Sequence, residues 1–385
     1  MDEVVVTLQA ERGFIMLQEP GGGFQFKVAR GIHQEAIPDP HSEISVSIVH
    51  QVASSGVPVI TSNAQDDERF SSRFSVIYLG LRSVLCVPLS VKGIVIGIIY
   101  LDNRLVKGVF TSSDLHLLSA IADIAAIAIE NARLYQLAIE KAKLERELQI
   151  ARQVQISLLP KENPKHLGWE FSALWQPSRQ VSGDFYDFIR LGQDQLGLII
   201  ADVTDKGVPA ALFMALVHTI LRASIRKPAT ASVDISRANR LICAESTLDY
   251  FVTVFYAGLD LKSGQMTYVN AGHPPPFWCR SGGKVGVLPL QNTGMALGIE
   301  SNAAYAQCTI QLDPGDFILG YTDGVTEACN KNQELFGENR LASMIVECID
   351  LKPTEMLNRI LHCANNWSEN TEYGDDITLL LANRL

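Results

Sequence analysis

The sequence predicts an α+β protein with three successive parts: a small antiparallel sheet with flanking helices, one very long helix, and a larger region of mixed strands and helices. Three observations carry this prediction. Short apolar runs separated by turns fill residues 1–112. Neither Gly nor Pro interrupts residues 111–159. Beyond residue 163 there is no βαβ alternation with a glycine-rich first loop, which favours antiparallel sheets.

Strand-like runs in the first part are rich in β-branched and aromatic residues, and turn residues separate them. Two turns stand out, one at the three glycines 21–23 and one at Lys92-Gly93. The predicted strands are 14–18, 24–29, 57–60, 84–89 and 94–101.

The long helix begins at a capping signal, because Thr111 is followed three residues later by Asp114. Its later apolar positions recur in alternating steps of three and four, with Lys141 and Gln155 as polar positions in the same register. An earlier register meets this one near Leu134 through two consecutive steps of three. One interpretation is an amphipathic helix lying on its own domain. The other is a parallel coiled coil in a homodimer, since so long a helix exceeds any single small domain. The later register is Leu137, Lys141, Leu144, Leu148, Ala151, Gln155 and Leu158.

The third part contains predicted strands on both sides of an apolar helix at 210–226. Lys262-Ser263-Gly264 indicates a hairpin between two of the strands. The predicted strands are 185–191, 196–202, 251–259, 265–270, 317–322 and 377–382.

Composition limits the classes of function. The chain has 385 residues, of which 47% are hydrophobic and 19% charged, which is typical of two or three globular domains. Its net charge of −10 argues against sequence-blind nucleic-acid binding and against a polybasic membrane module. Seven cysteines without zinc-site spacing indicate reduced thiols, and the N-terminus lacks the basic region of a signal peptide. We therefore expect a cytoplasmic protein without membrane insertion.

Carboxylates follow or precede apolar strands four times in the third part. Clustered carboxylates repel one another and raise each other's pKa, and a hard divalent cation relieves that repulsion. Mg²⁺ and Mn²⁺ prefer such oxygen ligands, and no His/Cys set suggests zinc. Two such ions can activate a water molecule and hold a phosphoryl group. The residues are Asp184, Asp202, Asp323 and the pair Asp375-Asp376.

Six motifs in order over residues 163–385 resemble the bacterial PPM phosphatases of the SpoIIE/RsbU type, which are relatives of protein phosphatase 2C. The resemblance implies an α-β-β-α sandwich that removes phosphate from phosphoserine or phosphothreonine, usually on small STAS-type anti-sigma-factor antagonists. The motifs are SGDFYDF, IADVTDKGVPAALFMA, FVTVFYAGLD, NAGHPPP, LGYTDGVTEA and GDDITLLL.

The same resemblance implies the site residues. Asp184 would bind both metal ions, and Asp202 would bind one beside the Val203 carbonyl group. Asp323 and either Asp375 or Asp376 would complete the second metal site.

Four further residues invite a functional interpretation. Asp205 departs from the family pattern and adds negative charge near the site. His273 is either a general acid or, as we favour, a hydrogen-bonded loop residue. Arg179 is either a phosphate ligand or a solvated loop arginine. Ser182 is not a nucleophile candidate, because no His/Asp set accompanies it.

Residues 1–133 resemble a GAF sensor domain through the segments 10–17, 82–89 and 97–102 and the helix that begins near Thr111. The opening helix is short, which is expected if the chain begins inside the domain. Members of this family bind cyclic nucleotides, tetrapyrroles or other small molecules, and some only dimerise. The sequence identifies no ligand.

The predicted organisation is therefore a GAF domain (1–133), a coiled-coil signalling helix (134–162) and a phosphatase domain (163–385). The predicted function is a Mn²⁺- or Mg²⁺-dependent protein serine/threonine phosphatase in a partner-switching pathway. The alternatives are a catalytically silent scaffold and a nucleotidyl cyclase, which also follows GAF domains and coiled coils and uses aspartates to bind two metals.

Overall fold

The computed structural model describes residues 1–19, 21, 23–227, 230–246, 250–280, 284–287, 293–368 and 374–385, with the backbone alone at 284–287. The chain divides into two compact units, residues 1–143 and 144–385, and the boundary falls within one long helix. Gly22, in the predicted first turn, lies outside the described residues.

The first unit is a five-stranded antiparallel sheet with helices on both faces. The strand order is β2-β1-β5-β4-β3. Lys92 and Gly93 both have positive φ angles in the β4–β5 turn, as the sequence predicts for a tight hairpin. The elements are α1 (Asp2–Thr7), β1 (Arg12–Gln18), β2 (Phe24–Gly31), α2 (Val46–Ser55), β3 (Val59–Thr61), α3 (Phe74–Tyr78), β4 (Ser83–Val91), β5 (Ile94–Asn103) and α4 (Ser112–Leu158).

Alternate residues of these strands enter two separate cores, as the period of two in a strand requires. On one face, Phe14 and Tyr100 pack with α2. On the other face, Leu85 and Leu101 pack with α1 and the first turns of α4.

Helix α4 is 47 residues long and begins at the predicted capping box. The Thr111 backbone N–H donates to Asp114 Oδ2 at 2.8 Å, and the Asp114 N–H donates to Thr111 Oγ1 at 3.3 Å. Every residue from 131 to 147 is exposed, including its apolar ones.

By length and composition alone, α4 could cross a membrane, because one stretch of 18 residues has a mean hydropathy of 1.4. Leu118, Ala122 and Ala126 are fully buried against the sheet of the first unit, however. Part of this stretch therefore belongs to a protein core, whereas Ile124 and Ile127 within it are exposed. Among the described residues, no other helix is long and apolar enough to span a bilayer.

The second unit contains a five-stranded and a six-stranded antiparallel sheet, ordered β14-β11-β10-β9-β8 and β13-β12-β15-β16-β7-β6. Its elements are β6 (Lys165–His166), β7 (Trp169–Gln176), β8 (Phe185–Arg190), β9 (Gln195–Val203), α5 (Val208–Ser224), α6 (Ala231–Glu245), β10 (Val252–Asp260), β11 (Gln265–Ala271), β12 (Phe277–Arg280), β13 (Lys284–Val287), β14 (Cys308–Gln311), β15 (Phe317–Tyr321), α7 (Asp323–Thr326), α8 (Gly337–Glu347), α9 (Pro353–Trp367) and β16 (Ile377–Arg384).

Three apolar layers hold this unit together. Ile200 and Leu380 belong to the layer between the two sheets. Helices α5 and α6 cover the outer face of the five-stranded sheet, and α8 and α9 cover the outer face of the six-stranded sheet. This arrangement is the predicted α-β-β-α sandwich, and the predicted α+β fold class is confirmed.

Candidate active site

Asp184 lies directly before β8, and it is 2% exposed. Its Oδ2 atom accepts hydrogen bonds from Thr322 Oγ1 at 2.7 Å and from Thr378 Oγ1 at 2.9 Å. Thr322 follows β15 and Thr378 lies on β16, both in the six-stranded sheet. That sheet therefore orients the carboxylate of Asp184, which precedes β8 of the five-stranded sheet. Neither threonine was predicted, although each is one or two residues from a predicted aspartate.

Asp202 lies on β9, next to its last residue, and its carboxyl group neighbours that of Asp184. Burial raises the pKa of Asp184 well above its usual range, and the neighbouring Asp202 and Asp376 raise it further. Burial likewise raises the pKa of Asp202 to about 7, with the charge of Asp323 as the next cause. The pair therefore resists carrying two negative charges unless a cation is present.

Asp323 is the first residue of α7, at the end of β15. Burial raises the pKa of Asp323 to about 6, and the charge of Asp375 adds to this effect. Gly324 comes next, and a Cβ atom there would collide with the carbonyl oxygen of Asp376. The absence of a side chain at 324 thus allows the chain segment before β16 to lie against α7.

Asp375 and Asp376 have different surroundings. Both carboxylate oxygens of Asp376 accept hydrogen bonds: Oδ1 from the Ser178 N–H at 2.7 Å and hydroxyl at 2.8 Å, and Oδ2 from the Gly183 N–H at 3.0 Å. Asp375 instead forms an ion pair with Lys206, at 2.9 Å between Nζ and Oδ2. Asp376 therefore fastens two loops beside Asp184, whereas Asp375 lies on the side of Asp323 and Lys206.

The Val203 carbonyl group lies beside this cluster. A Cβ atom at Gly183 would be only 3.0 Å from the Val203 carbonyl oxygen. The absence of a side chain at 183 thus lets the end of β9 lie close to the segment before β8. The structure therefore places all six predicted ligand residues at the strand ends of the second unit, namely Asp184, Asp202, Val203, Asp323, Asp375 and Asp376.

The loop between β9 and α5 carries the departure from the family pattern. Asp205 has a φ angle of 73°, is exposed, and accepts a hydrogen bond from the Tyr250 hydroxyl at 3.3 Å. Arg179 is exposed too, with its Nη1 atom 4.0 Å from where a Cβ of Gly207 would lie. Arg179 thus lies at the edge of this loop.

His273 has the surroundings of a structural residue. It is 3% exposed, its Nδ1 lies 2.8 Å from Thr253 Oγ1, and the Asn270 side chain bonds both its N–H and its carbonyl oxygen. Burial lowers the pKa of His273 to about 3, so the ring is neutral near pH 7 and cannot donate as an imidazolium. These contacts favour a structural role for His273 in shaping its loop over a role as general acid.

Ser182 is fully buried and connects the site to α4. Its N–H donates to Gln155 Oε1 at 3.1 Å, and the Gln155 amide donates to the Ser182 carbonyl oxygen at 2.8 Å. Gln155 is 4% exposed. The sequence placed Gln155 among the seam positions of a coiled coil, whereas in the structure its side chain is bonded within its own chain.

The donor set fits hard divalent cations. Within the described residues, no three His, Cys, Asp or Glu side chains form a ready-made metal site. The carboxylates are held by threonine, serine and lysine donors instead, and burial and mutual repulsion raise the pKa values of Asp184, Asp202 and Asp323. Mg²⁺ or Mn²⁺ prefers oxygen ligands, and such an ion would relieve the repulsion between these buried carboxylates.

An α-β-β-α sandwich with carboxylates gathered at its strand ends defines the class of protein, a PP2C-type phosphatase domain. The family model described as Stage II sporulation protein E (SpoIIE) matches residues 192–385, and the GAF domain model matches residues 1–129. The chain belongs to the SpoIIE family and carries a GAF domain before its long helix. The predicted resemblance to both families is confirmed.

Two curated relatives and one solved structure illustrate this similarity. Protein IcfG of Synechocystis sp. is 34% identical over 62% of this chain and 41% of its own length. Phosphoserine phosphatase RsbU of Bacillus subtilis is 29% identical over 63% of this chain and 71% of its own length. The SiaA-PP2C domain of Pseudomonas aeruginosa has a TM-score of 0.57 at 21% identity and shares the fold, over 64% of this chain and 99% of that one. The chain thus spans about two fifths of the first of these relatives.

Proposed function

We propose that this chain is a metal-dependent protein serine/threonine phosphatase of a bacterial partner-switching pathway, controlled by its GAF domain. The observation that carries the proposal is the cluster of Asp184, Asp202, Asp323 and Asp375 at the strand ends of two facing sheets. The family match supports the reaction class, and it gives no support to a nucleotidyl cyclase or a silent scaffold.

We assign two divalent cations, Mn²⁺ or Mg²⁺, to this cluster, held by the four aspartates and the Val203 carbonyl oxygen. When bound, such ions polarise a phosphoryl group and the water that attacks it. Between the adjacent aspartates, we assign Asp375 to metal binding and Asp376 to loop fastening, because the latter has both oxygens committed to protein donors.

The chain's own residues position these groups. Thr322 and Thr378 fix one oxygen of Asp184, which leaves the other free to face Asp202. Lys206 holds Asp375 and partly offsets the negative charge around Asp323, whose pKa it lowers. Arg179, at the edge of the loop, is placed to meet a phosphate dianion that approaches from solvent.

The substrate we propose is a serine-phosphorylated STAS-domain antagonist of an anti-sigma factor. RsbU and RsbP of Bacillus subtilis, both phosphoserine phosphatases by name, support a phosphoserine substrate. We place the enzyme in the cytoplasm as a homodimer joined through the GAF domain and α4.

The test is phosphate release from a phosphorylated STAS-domain protein and from p-nitrophenyl phosphate, with Mn²⁺ and with excess EDTA. Chelation should abolish both activities. Asp184→Asn and Asp323→Asn should each lower turnover by orders of magnitude with an unchanged circular dichroism spectrum. Full activity in EDTA would refute the proposal.

A further inference from the structure

A groove lies between α5 on one side and the end of α6 and Tyr250 on the other, and its lining is mainly apolar, with Glu245 and Ser246 as its polar members. It has a volume of about 330 Å³. Val208 and Leu212 form one wall, a single helical turn apart, and they are 45% and 69% exposed. Tyr250 lies on the opposite wall, and Leu216 extends the first. Isolated exposed leucines are ordinary, but apolar side chains that line one concavity indicate a binding surface.

The groove begins at the rim of the carboxylate cluster. Val208 is the first residue of α5 and follows Lys206, the ion-pair partner of Asp375, by two positions. The Tyr250 hydroxyl donates to Asp205 in the same loop, which connects the second wall to the site. A folded protein that presents a phosphoserine to the cluster must therefore cover this groove or pass directly beside it.

The negative charge around the carboxylate cluster makes apolar contacts with the substrate useful. The rim carries the exposed Asp205 and the half-buried Asp323 and Asp375, and the chain as a whole has a net charge of −10. These charges do not attract a phosphoprotein, which brings a phosphate dianion of its own. Arg179 and the proposed metal ions would contact the phosphate itself, and apolar contacts would add affinity for the protein around it without meeting this repulsion.

We propose that this groove binds an apolar side chain of the phosphoprotein substrate, next to its phosphoserine, and so distinguishes a protein substrate from a small phosphate ester. The inference rests on the proposed function and adds to it a substrate-docking surface. The occupant is the substrate itself, because the groove is continuous with the site at which that substrate must react.

The experiment compares Leu212→Glu with the wild-type full-length protein in Mn²⁺. The substrates are a serine-phosphorylated STAS-domain protein and p-nitrophenyl phosphate. The variant should lower the ratio of kcat/KM on the protein to kcat/KM on the ester by roughly tenfold or more, mainly through KM for the protein. Val233→Glu is the matched control, because Val233 is 54% exposed on α6 and about 18 Å along that helix from the groove residue Glu245. It should leave the ratio unchanged.

The outcomes are distinct. If the wild type hydrolyses neither substrate, the proposed function fails. If the wild type is active and Leu212→Glu keeps its ratio, or loses both activities in proportion, docking at this groove is refuted. If light scattering shows that only Leu212→Glu dissociates a dimer, the groove binds a second copy instead and the proposal is again refuted.

Discussion

Asp375 and Asp376 are adjacent in sequence, but their carboxylates have different partners. The sequence left the choice of ligand open, because two consecutive aspartates before a strand give no indication of which one turns outward. The hydrogen bonds from Ser178 and Gly183 to Asp376 are contacts across many residues, and no local pattern predicts them.

We expect opposite consequences from replacing these two aspartates. Asp375→Asn should weaken Mn²⁺ binding and lower turnover by orders of magnitude, with little change in stability, because its carboxylate is half exposed. Asp376→Asn should lower the free energy of unfolding by about 2–4 kcal/mol, because buried donors lose a charged acceptor. Isothermal titration calorimetry and urea unfolding measure the two effects. Equal losses of Mn²⁺ affinity in both variants would contradict the assignment.

His273 should make the phosphatase unit sensitive to acid. Burial lowers its pKa to about 3 from an ordinary value of 6.5, so the unfolded chain takes up a proton below pH 6.5 and the native state does not. This contribution to stability is therefore complete above pH 6.5 and falls with decreasing pH, by up to about 1.4 kcal/mol per pH unit. Urea unfolding between about pH 7 and pH 4 should show a shallower dependence for His273→Asn than for the wild type. Identical slopes would refute a buried neutral His273.

At the scale of single elements, the middle of α4 is uncovered, since every residue from 131 to 147 is exposed. Leu134, Leu137 and Leu144 are each more than half exposed, along a stretch that no other described part of the chain covers. An isolated helix gains little stability from its own hydrogen bonds, so such a helix needs packing from elsewhere. A parallel partner helix would supply this packing.

We therefore predict a homodimer that Leu144→Glu combined with Leu148→Glu converts to monomers, because both charges would enter the seam. The matched control is Ala142→Glu combined with Gln153→Glu, which adds the same charge at positions outside the seam. Light scattering at micromolar concentration measures the mass. A monomeric wild type, or equal dissociation in both variants, would contradict the prediction.

The sequence predicted some elements well and missed others for physical reasons. Helix α4 has no Gly or Pro along its length and has a local cap, and the β10–β11 hairpin has a glycine turn, so both could be predicted. Strand β7, which lies between β16 and the edge strand β6, was missed, because its partner β16 is about two hundred residues away and long-range pairing leaves no local signal. The predicted aspartates lie at the strand ends of one unit, and their role as metal ligands stays a prediction. The threonines that orient Asp184 emerge only from the tertiary structure.

On the scale of the whole molecule, α4 belongs to both units and is the covalent route between them. We predict that inserting one residue after Leu134 changes the phosphatase rate several-fold, since it shifts the register of every later seam position. Deleting residues 1–133 should change the basal rate as well. Steady-state rates on one phosphoprotein, measured for the insertion, the deletion and the intact protein, test both predictions. The Mn²⁺ affinity of residues 144–385 is measured as the reference for an unchanged metal site. Equal rates in all three proteins would make α4 a passive tether.

The glycine after Asp323 limits which mutations the gene can accumulate without loss of function. Every missense codon change at position 324 adds a side chain, and any Cβ there strikes the carbonyl of Asp376. We therefore expect every substitution at position 324 to disturb the structure, whereas exposed positions of α4 accept many side chains. We therefore expect a single nucleotide change there to displace the segment of Asp375 and Asp376 and lower activity, with each carboxylate still encoded. A genome survey that counts aspartates alone would score such a gene as active.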